Sequence, residues 1–353
     1  MTPIRPVTPQ DLPQLAKLVQ REGSWVKYIS DKVRHRDTEM LVASEDGQLV
    51  GFIDFRVVQR GRQAEPRRHA IARWFRPHRA EPDAILQPLR FGLIEELYVA
   101  PARRKQGWGR ALVESCVHSL QKQAVSEIQT AIYLNNHSSL DFFHKLGFEA
   151  SKFLLRKRVG QIIPPLTTIR PATRRDIPQL AELVRQAVEY QQRLARSFQL
   201  LPQVDWAGYV SAKRKQRDIE ILVAFQDRHL VGFIELRVVQ PFDHNGVRGR
   251  LKALARQLLP PFLVKGPLLL KGVRFGFIED IYILPAWRKQ GLATALVQES
   301  MRWFQSQQVA YIQAGIWKDN EISLTFFQNL DFKPIKVMLS KRGGKTKYGV
   351  HGA

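Results

Sequence analysis

The chain of 353 residues contains one cysteine, Cys116, so no intramolecular disulfide can staple it. Its nine histidines are scattered without ligand spacing, and no metal centre is expected. No apolar run is long enough to span a bilayer. The opening "MTPIRPVTPQDLPQL" has neither the charged start nor the apolar core of a signal peptide, which predicts a cytoplasmic location. Acidic side chains are scarce: 32 Asp and Glu stand against 55 Lys and Arg, a formal charge of +23. The excess is +9 over residues 1–160 and +14 over 161–353, so both halves should attract polyanions. What is present is the composition of a soluble globular protein, 44% hydrophobic and 25% charged. The length exceeds one ordinary core and predicts two domains.

Internal similarity says where they lie. "IRPVTPQDLPQLAKLV" from Ile4 returns as "IRPATRRDIPQLAELV" from Ile169, and "LVGFIDFRVVQ" from Leu49 as "LVGFIELRVVQ" from Leu230. "RFGLIEELYVAPARRKQGWG" and "RFGFIEDIYILPAWRKQGLA" share 12 of 20 residues, and "LDFFHKLGF" returns as "LTFFQNLDF". The chain therefore reads as a tandem duplication. Its expected domains are 1–160 and 161–340, joined near Pro164 and Pro165, with a basic, glycine-rich tail over 341–353 that reads as disordered.

Within the first copy, a short strand near Arg5 leads to a helix carrying Leu12, Leu15 and Leu18. Further helical sequence surrounds Trp25 to Arg36, and strands follow at Met40–Ser44 and Leu49–Val58. Phe91 to Val99 reads as a strand stopped by Pro101. Ala111, Leu112, Val113, Cys116, Val117 and Leu120 then recur at helical spacing, so a helix begins near Gly107. Ile128–Leu134 reads as a strand, Ser138–Leu146 as a helix, and Phe148–Arg158 as closing strand sequence. Helices mixed with a mainly antiparallel sheet make each copy α+β.

The turn between the central strand and the helix is the chemical signal. Glycine there removes the side chain that keeps an anion away, and the bare N–H groups and dipole of a helix N-terminus attract a phosphate. Arg104-x-x-Gly107-x-Gly109 and Arg288-x-x-Gly291-x-Ala293 both follow this pattern. The three glycines of a dinucleotide fingerprint and the Lys-Ser/Thr of a P-loop are absent. A phosphate or pyrophosphate ligand is expected.

On these ordered segments, each half resembles the GNAT superfamily of acetyl-CoA-dependent N-acetyltransferases, whose hallmark is Gln/Arg-x-x-Gly-x-Gly/Ala at a helix start. The resemblance implies two GNAT-like domains, each a mixed, mainly antiparallel sheet flanked by helices. It implies acetyl-CoA as cofactor and an amine-bearing acceptor, small molecule or protein, that attacks directly in a ternary complex. The pantetheine arm would pair with Leu97, Tyr98 and Val99 in one half and Ile281, Tyr282 and Ile283 in the other. The pyrophosphate would rest on backbone N–H groups of Arg104, Lys105, Gln106, Gly107, Trp108 and Gly109, and of Arg288, Lys289, Gln290, Gly291, Leu292 and Ala293. Trp108 fills a tolerant position, and its side chain should pack away from the phosphates. Asn136 and Asn320 match an asparagine near the cofactor's sulfur end, and each could equally cap the following helix.

Acetyl transfer to an amine requires removal of the ammonium proton, donors for the carbonyl oxygen, and departure of the thiolate. For the first task the candidates are Glu95 and Glu96, and Glu279 and Asp280. Adjacent strand residues face opposite sides, so one of each pair should reach the cleft. Glu95 and Glu279 are preferred because the copies share them. A backbone N–H at Tyr98 or Val99 would serve the carbonyl oxygen. For the third task the family often supplies a tyrosine, and here the matching positions are Phe143 and Phe327. A carboxylate that some members carry on the next strand would fall near Ala131 and Gly315, and is missing. A thiolate of pKa about 8.5 can leave unaided near neutral pH.

Two alternatives follow from these departures and from the charge. The protein could be a non-catalytic acyl-CoA-binding sensor or scaffold, or a polyanion-binding protein on the same platform. Basic insertions at 60–89 and 241–273 each read as carrying a short amphipathic helix, which would pack on a neighbour or dock an acidic substrate, RNA or a membrane. One domain alone could be active, with the first half the better candidate for tight CoA binding.

Overall fold

The computed structural model describes residues 4–19, 39–59, 90–160, 168–194, 203–227, 229–239 and 274–343. The helix expected around Trp25 to Arg36 and both basic insertions lie outside these residues, as does the tail from 344 onward. Of that tail, Lys341 and Arg342 belong to a strand. The α+β layout is as expected, and the chain folds as two compact units.

The first unit opens with β1 (Ile4–Pro6), a single 3-10 turn and α1 (Leu12–Leu18). Thr8 and Asp11 form a capping box at the turn, and an Arg5 guanidinium nitrogen stands 2.7 Å from the Asp11 carboxylate. The Arg5 hydrogen bonds, with those from Thr8, hold the Asp11 carboxyl well below the usual range. In the second unit Arg170, Thr173 and Asp176 repeat the clamp at 2.7 Å, with the same depression of Asp176. The repeated "IRP…D" opening is thus a structural device that ties the first strand to the first helix.

Next, β2 (Glu39–Glu45), β3 (Gln48–Gln59) and β4 (Arg90–Val99) join β1 in an antiparallel series. α2 (Trp108–Lys122) then crosses over so that β5 (Glu127–Tyr133) lies parallel to β4, and α3 (His137–Lys145) follows. The buried stripe of α2 is Leu112, Val113, Cys116 and Leu120. Burial pushes the Cys116 thiol well above its usual pKa, which suits a core residue rather than a nucleophile. The next strand, β6 (Glu149–Arg158), does not return to β5.

The second unit repeats the plan. β7 (Ile169–Pro171), α4 (Ile177–Leu194) and α5 (Trp206–Arg214) precede β8 (Ile219–Gln226), β9 (His229–Val239) and β10 (Phe275–Ile283). α6 (Leu292–Ser306), β11 (Tyr311–Trp317), α7 (Glu321–Asn329) and β12 (Lys333–Arg342) complete it in sequence. Its core joins Leu236 and Ile278 of the sheet to Leu296 and Phe304 of α6 and to Phe327 and Phe332. Asp331 takes the left-handed turn (φ 63°) that Gly147 takes in the first unit (φ 78°). Aspartate bears this conformation at some cost where glycine does not.

The expected boundaries at 160 and 340 fail at the closing strands, which are exchanged. β6, from the first half of the sequence, pairs antiparallel with β11, Lys152 opposite Trp317. β12, from the second half, pairs antiparallel with β5, Lys336 opposite Tyr133. The two make equivalent contacts in each other's place. Lys152 Nζ lies 4.8 Å from the Trp317 ring and Lys336 Nζ 4.0 Å from the Tyr133 ring. Lys157 donates to the Leu330 carbonyl at 2.5 Å, and Lys341 to the Leu146 carbonyl at 2.6 Å. β6 and β12 carry the same residue pattern, so each fits the other's slot.

Candidate active site

In each unit the central strand leaves its parallel neighbour partway along. β4 pairs with β5 from Phe91 to Ile94, and β10 with β11 from Gly276 to Ile278. The next residue, Glu95 or Glu279, is the extra residue of a β-bulge against the antiparallel partner. A bulge re-aims the strand and raises its twist. Past it, among the described residues, Leu97–Val99 and Ile281–Ile283 are laddered on one side, to β3 and β9, which leaves the other edge for an extended ligand.

That edge runs into the glycine turn. Lys105 (φ 62°) and Gly107 (φ 90°) are both left-handed, as are Lys289 (φ 62°) and Gly291 (φ 80°). Such alternation turns successive backbone N–H groups into one concavity. A Cβ built on Gly107 or Gly291 meets nothing within 4 Å, so the space in front of the turn is open. The helices that start there are each 15 residues long, enough to present a full N-terminal dipole. Trp108 and Leu292 are buried. A Cβ on Gly109 would stand 3.4 Å from Phe142, an ordinary contact that explains the alanine at 293. Arg104 Nε donates to the Val99 carbonyl and Arg288 Nε to the Ile283 carbonyl, both at 3.0 Å, so their side chains brace the strand end.

The carboxylates divide into two kinds. Glu95 lies 2.9 Å from Arg56 Nε, and Glu279 accepts from Arg237 Nε at 2.7 Å. Arg237 is fully buried and also donates to Asp218 at 3.2 Å and Gln216 at 3.3 Å. The preferred pair, Glu95 and Glu279, is therefore held in ion pairs at the bulge. Asp280 is placed differently. It faces Glu235 across the ladder, accepts a short hydrogen bond from the Gln191 amide, and retains partial solvent access. Glu235 is itself gripped by buried Lys213, whose Nζ donates to both carboxylate oxygens at 2.6 and 2.8 Å. Desolvation and the Glu235 charge push Asp280 up to about 7, against the opposing pull of Lys213, Lys152 and the Gln191 hydrogen bond. In the first unit Glu96 faces Asp54, which is fully buried.

A model of the Acetyltransferase (GNAT) family matches the sequence twice, over residues 9–148 and 185–332. The chain belongs to this family. No curated protein matches it in sequence. Among solved structures it is similar to a GCN5-related N-acetyltransferase from Sphaerobacter thermophilus, at 16% identity and TM-score 0.52, over 96% of this chain and 95% of that one. It is also similar to a fungal multi-domain protein described as a GH3 beta-N-acetylglucosaminidase with a GCN5-related glucosamine N-acetyltransferase region. There the identity is 12% and the TM-score 0.52, over 96% of this chain and 38% of the other. At these identities the likeness is one of fold.

Other GNAT positions can now be placed. Asn136 accepts from the Ser139 N–H at 3.2 Å and Asn320 from the Ser323 N–H at 3.1 Å, so both cap the following helix. Phe143 and Phe327 are buried and stack edge-to-face on Phe148 and Phe332, at 5.2 and 5.0 Å between ring centres. They are core residues with no proton to give. Over Gly315, the atoms nearest to where a side chain would stand are Lys152 Cε at 3.0 Å and Nζ at 3.3 Å. The lysine of the exchanged strand therefore fills that space. Sequence reasoning missed Glu235, Lys213 and Gln191. A carboxylate inside the apolar run "LVGFIELRVV" was the one available signal. Among the described residues no cluster suits a metal ion, and no helix is long and apolar enough to cross a membrane.

Proposed function

We propose that the protein is an N-acetyltransferase that carries acetyl-CoA along the open edges of β4 and β10, and that its second unit is equipped to deprotonate the acceptor amine. The observation that carries this reading is the place of Asp280, at the first position beyond the bulge, facing Glu235 and held by Gln191, where desolvation raises its pKa to about 7. An ammonium near pKa 10 must lose a proton before it can attack, and a base poised near 7 is matched to that task at neutral pH.

The residues present fit the cofactor. The open concavity before Gly107 and Gly291 suits a pyrophosphate, and the one-sided strand segments suit the amides of a pantetheine arm. When bound, acetyl-CoA supplies a thioester carbon and a thiolate leaving group. Backbone N–H groups within Ile281–Ile283 orient the carbonyl and stabilise negative charge on its oxygen. Asp280 takes the amine proton, with Gln191 fixing its carboxyl and Lys213 holding Glu235 in place opposite it. Glu279 holds the bulge through Arg237 and shapes the strand without touching the acceptor. Phenylalanine at 143 and 327 would supply no proton to the departing thiolate.

Transfer assays with acetyl-CoA and an amine panel test this reading against an acyl-CoA-binding scaffold. CoA binding without transfer to any amine between pH 6 and 9 would favour the scaffold. Salt-sensitive binding to RNA or anionic vesicles, with no CoA affinity, would favour the polyanion platform.

A further inference from the structure

A cavity of about 360 Å³ in the second unit is lined by Gln186, Glu189, Tyr190 and Arg193 of α4, and by Tyr282 and Arg288 at the end of β10. The volume suits a small molecule. Its charges do not cancel. Glu189 is already bound by Arg185 at 2.6 Å, which holds Glu182 at the same distance. Arg288 spends Nε on the Ile283 carbonyl, and its guanidinium carbon lies 5.6 Å from the Tyr282 ring and 5.8 Å from the Tyr190 ring. The Tyr282 hydroxyl is fixed by Gln186 at 3.2 Å. Among the described residues, neither the terminal nitrogens of Arg288 nor Arg193 meets a carboxylate. The recess thus offers two guanidinium groups and two ring faces, the chemistry that receives a planar carboxylate or a phosphate.

Its position relates it to the reacting end. Tyr282 and Asp280 are alternate residues on one face of β10, and Gln191, which holds Asp280, is the neighbour of Tyr190 on α4. Resting on the reading of Asp280 as the base, we propose that this recess binds the anionic end of the acceptor, so that the second unit acetylates a small amine carrying a carboxylate or phosphate several bonds from its nitrogen. Two residues along a strand cover about 7 Å, which sets the least separation between nitrogen and anion. An α-amino acid reacting through its α-nitrogen is too short. A neutral alkylamine leaves the guanidinium groups without a partner.

The same anion chemistry could come from the cofactor, because Arg288 belongs to the glycine turn. Three probes separate these sources: 6-aminohexanoate, hexylamine and glycine, each with acetyl-CoA and the full chain. The expected kcat/KM for 6-aminohexanoate exceeds that of the other two at least tenfold, and Arg193→Gln removes most of this advantage. Equal values for 6-aminohexanoate and hexylamine overturn the proposal. Calorimetry on the CoA-saturated protein separates it from the catalytic reading. Binding of 6-aminohexanoate that is weakened tenfold by Arg193→Gln, without transfer, upholds the recess and removes the enzymatic assignment. If Arg193→Gln instead weakens CoA tenfold and leaves 3′-dephospho-CoA unchanged, the recess holds the cofactor's phosphate and the proposal is wrong.

Discussion

The two glycine turns repeat each other in their particulars, whereas the two carboxylate faces do not. Both turns pair a left-handed lysine with a left-handed glycine, both brace the strand end with an arginine at 3.0 Å, and both helices start on a buried apolar residue. Across the sheet, Asp54 and Glu96 stand where the second unit has Glu235 and Asp280. The second pair has exchanged its short and long side chains, and there Lys213 holds the glutamate and Gln191 the aspartate. Duplication has preserved the turn proposed for the cofactor and altered the carboxylate pair proposed for the acceptor. The two units should therefore resemble each other in CoA binding and differ in chemistry.

The largest effect expected of this contrast is on turnover. Asp280→Asn should lower acetyl transfer by roughly 10²-fold or more, the usual contribution of a general base, whereas Glu96→Gln should cost far less. In the parent, the rate should rise with pH through about 7 as Asp280 loses its proton, and the Asn variant should lack that limb. Initial rates from pH 5.5 to 9 decide it, and a larger loss in Glu96→Gln would reverse the assignment of the two units.

Next comes the shared turn. Gly107→Val and Gly291→Val place a branched side chain at a left-handed position, in the space kept open before the helix. Each should weaken CoA at its own turn by at least tenfold and reduce the calorimetric stoichiometry from two per chain to one. An unchanged stoichiometry in both would break the likeness between the turns.

A smaller effect concerns stability. Asp280 is protonated more readily folded than unfolded, so its cost to folding is absent below about pH 4 and complete above about 7. Asp280→Asn should therefore stabilise the protein at pH 8 by on the order of 2 kcal/mol and have little effect at pH 4. Thermal unfolding at the two values measures this, and an equal shift at both would point to packing instead of charge.

The smallest expected effect is also the most symmetrical. Thr8→Ala and Thr173→Ala should each cost about 1 kcal/mol, because the capping boxes are alike. The clamped carboxylates, depressed in the fold, contribute stability above about pH 4 that is lost as the pH falls toward their lowered values. Urea unfolding of the two variants would show whether one clamp matters more.

Much of this architecture is legible in the sequence because it is local. The strand, glycine turn and helix from Phe91 to Leu120 announce themselves through period and turn chemistry, and the repeat assigns the same elements to the second half. The exchange of β6 and β12 is not legible, since alternation identifies a strand without naming its partner and the two strands fit either slot. The burial of Lys213 is hidden for a related reason: a lysine near the end of a helix reads as solvated until the sheet above it is known. Glu95 and Glu279 were preferred because the copies share them, yet what they share is an arginine partner and a place at the bulge.

The exchanged strands give the chain the wiring of an intertwined pair built from one polypeptide. A single ancestral domain that traded its last strand with a twin would, after fusion of the two genes, yield this arrangement without any strand having to find a new place. Each unit is then finished by a borrowed part: Lys152, felt by Asp280, is encoded in the first half, and Lys336, which burial brings down to about 8 beside Tyr133, in the second. A fragment ending after Arg158 would hold a closing strand meant for another sheet and lack the one that completes its own.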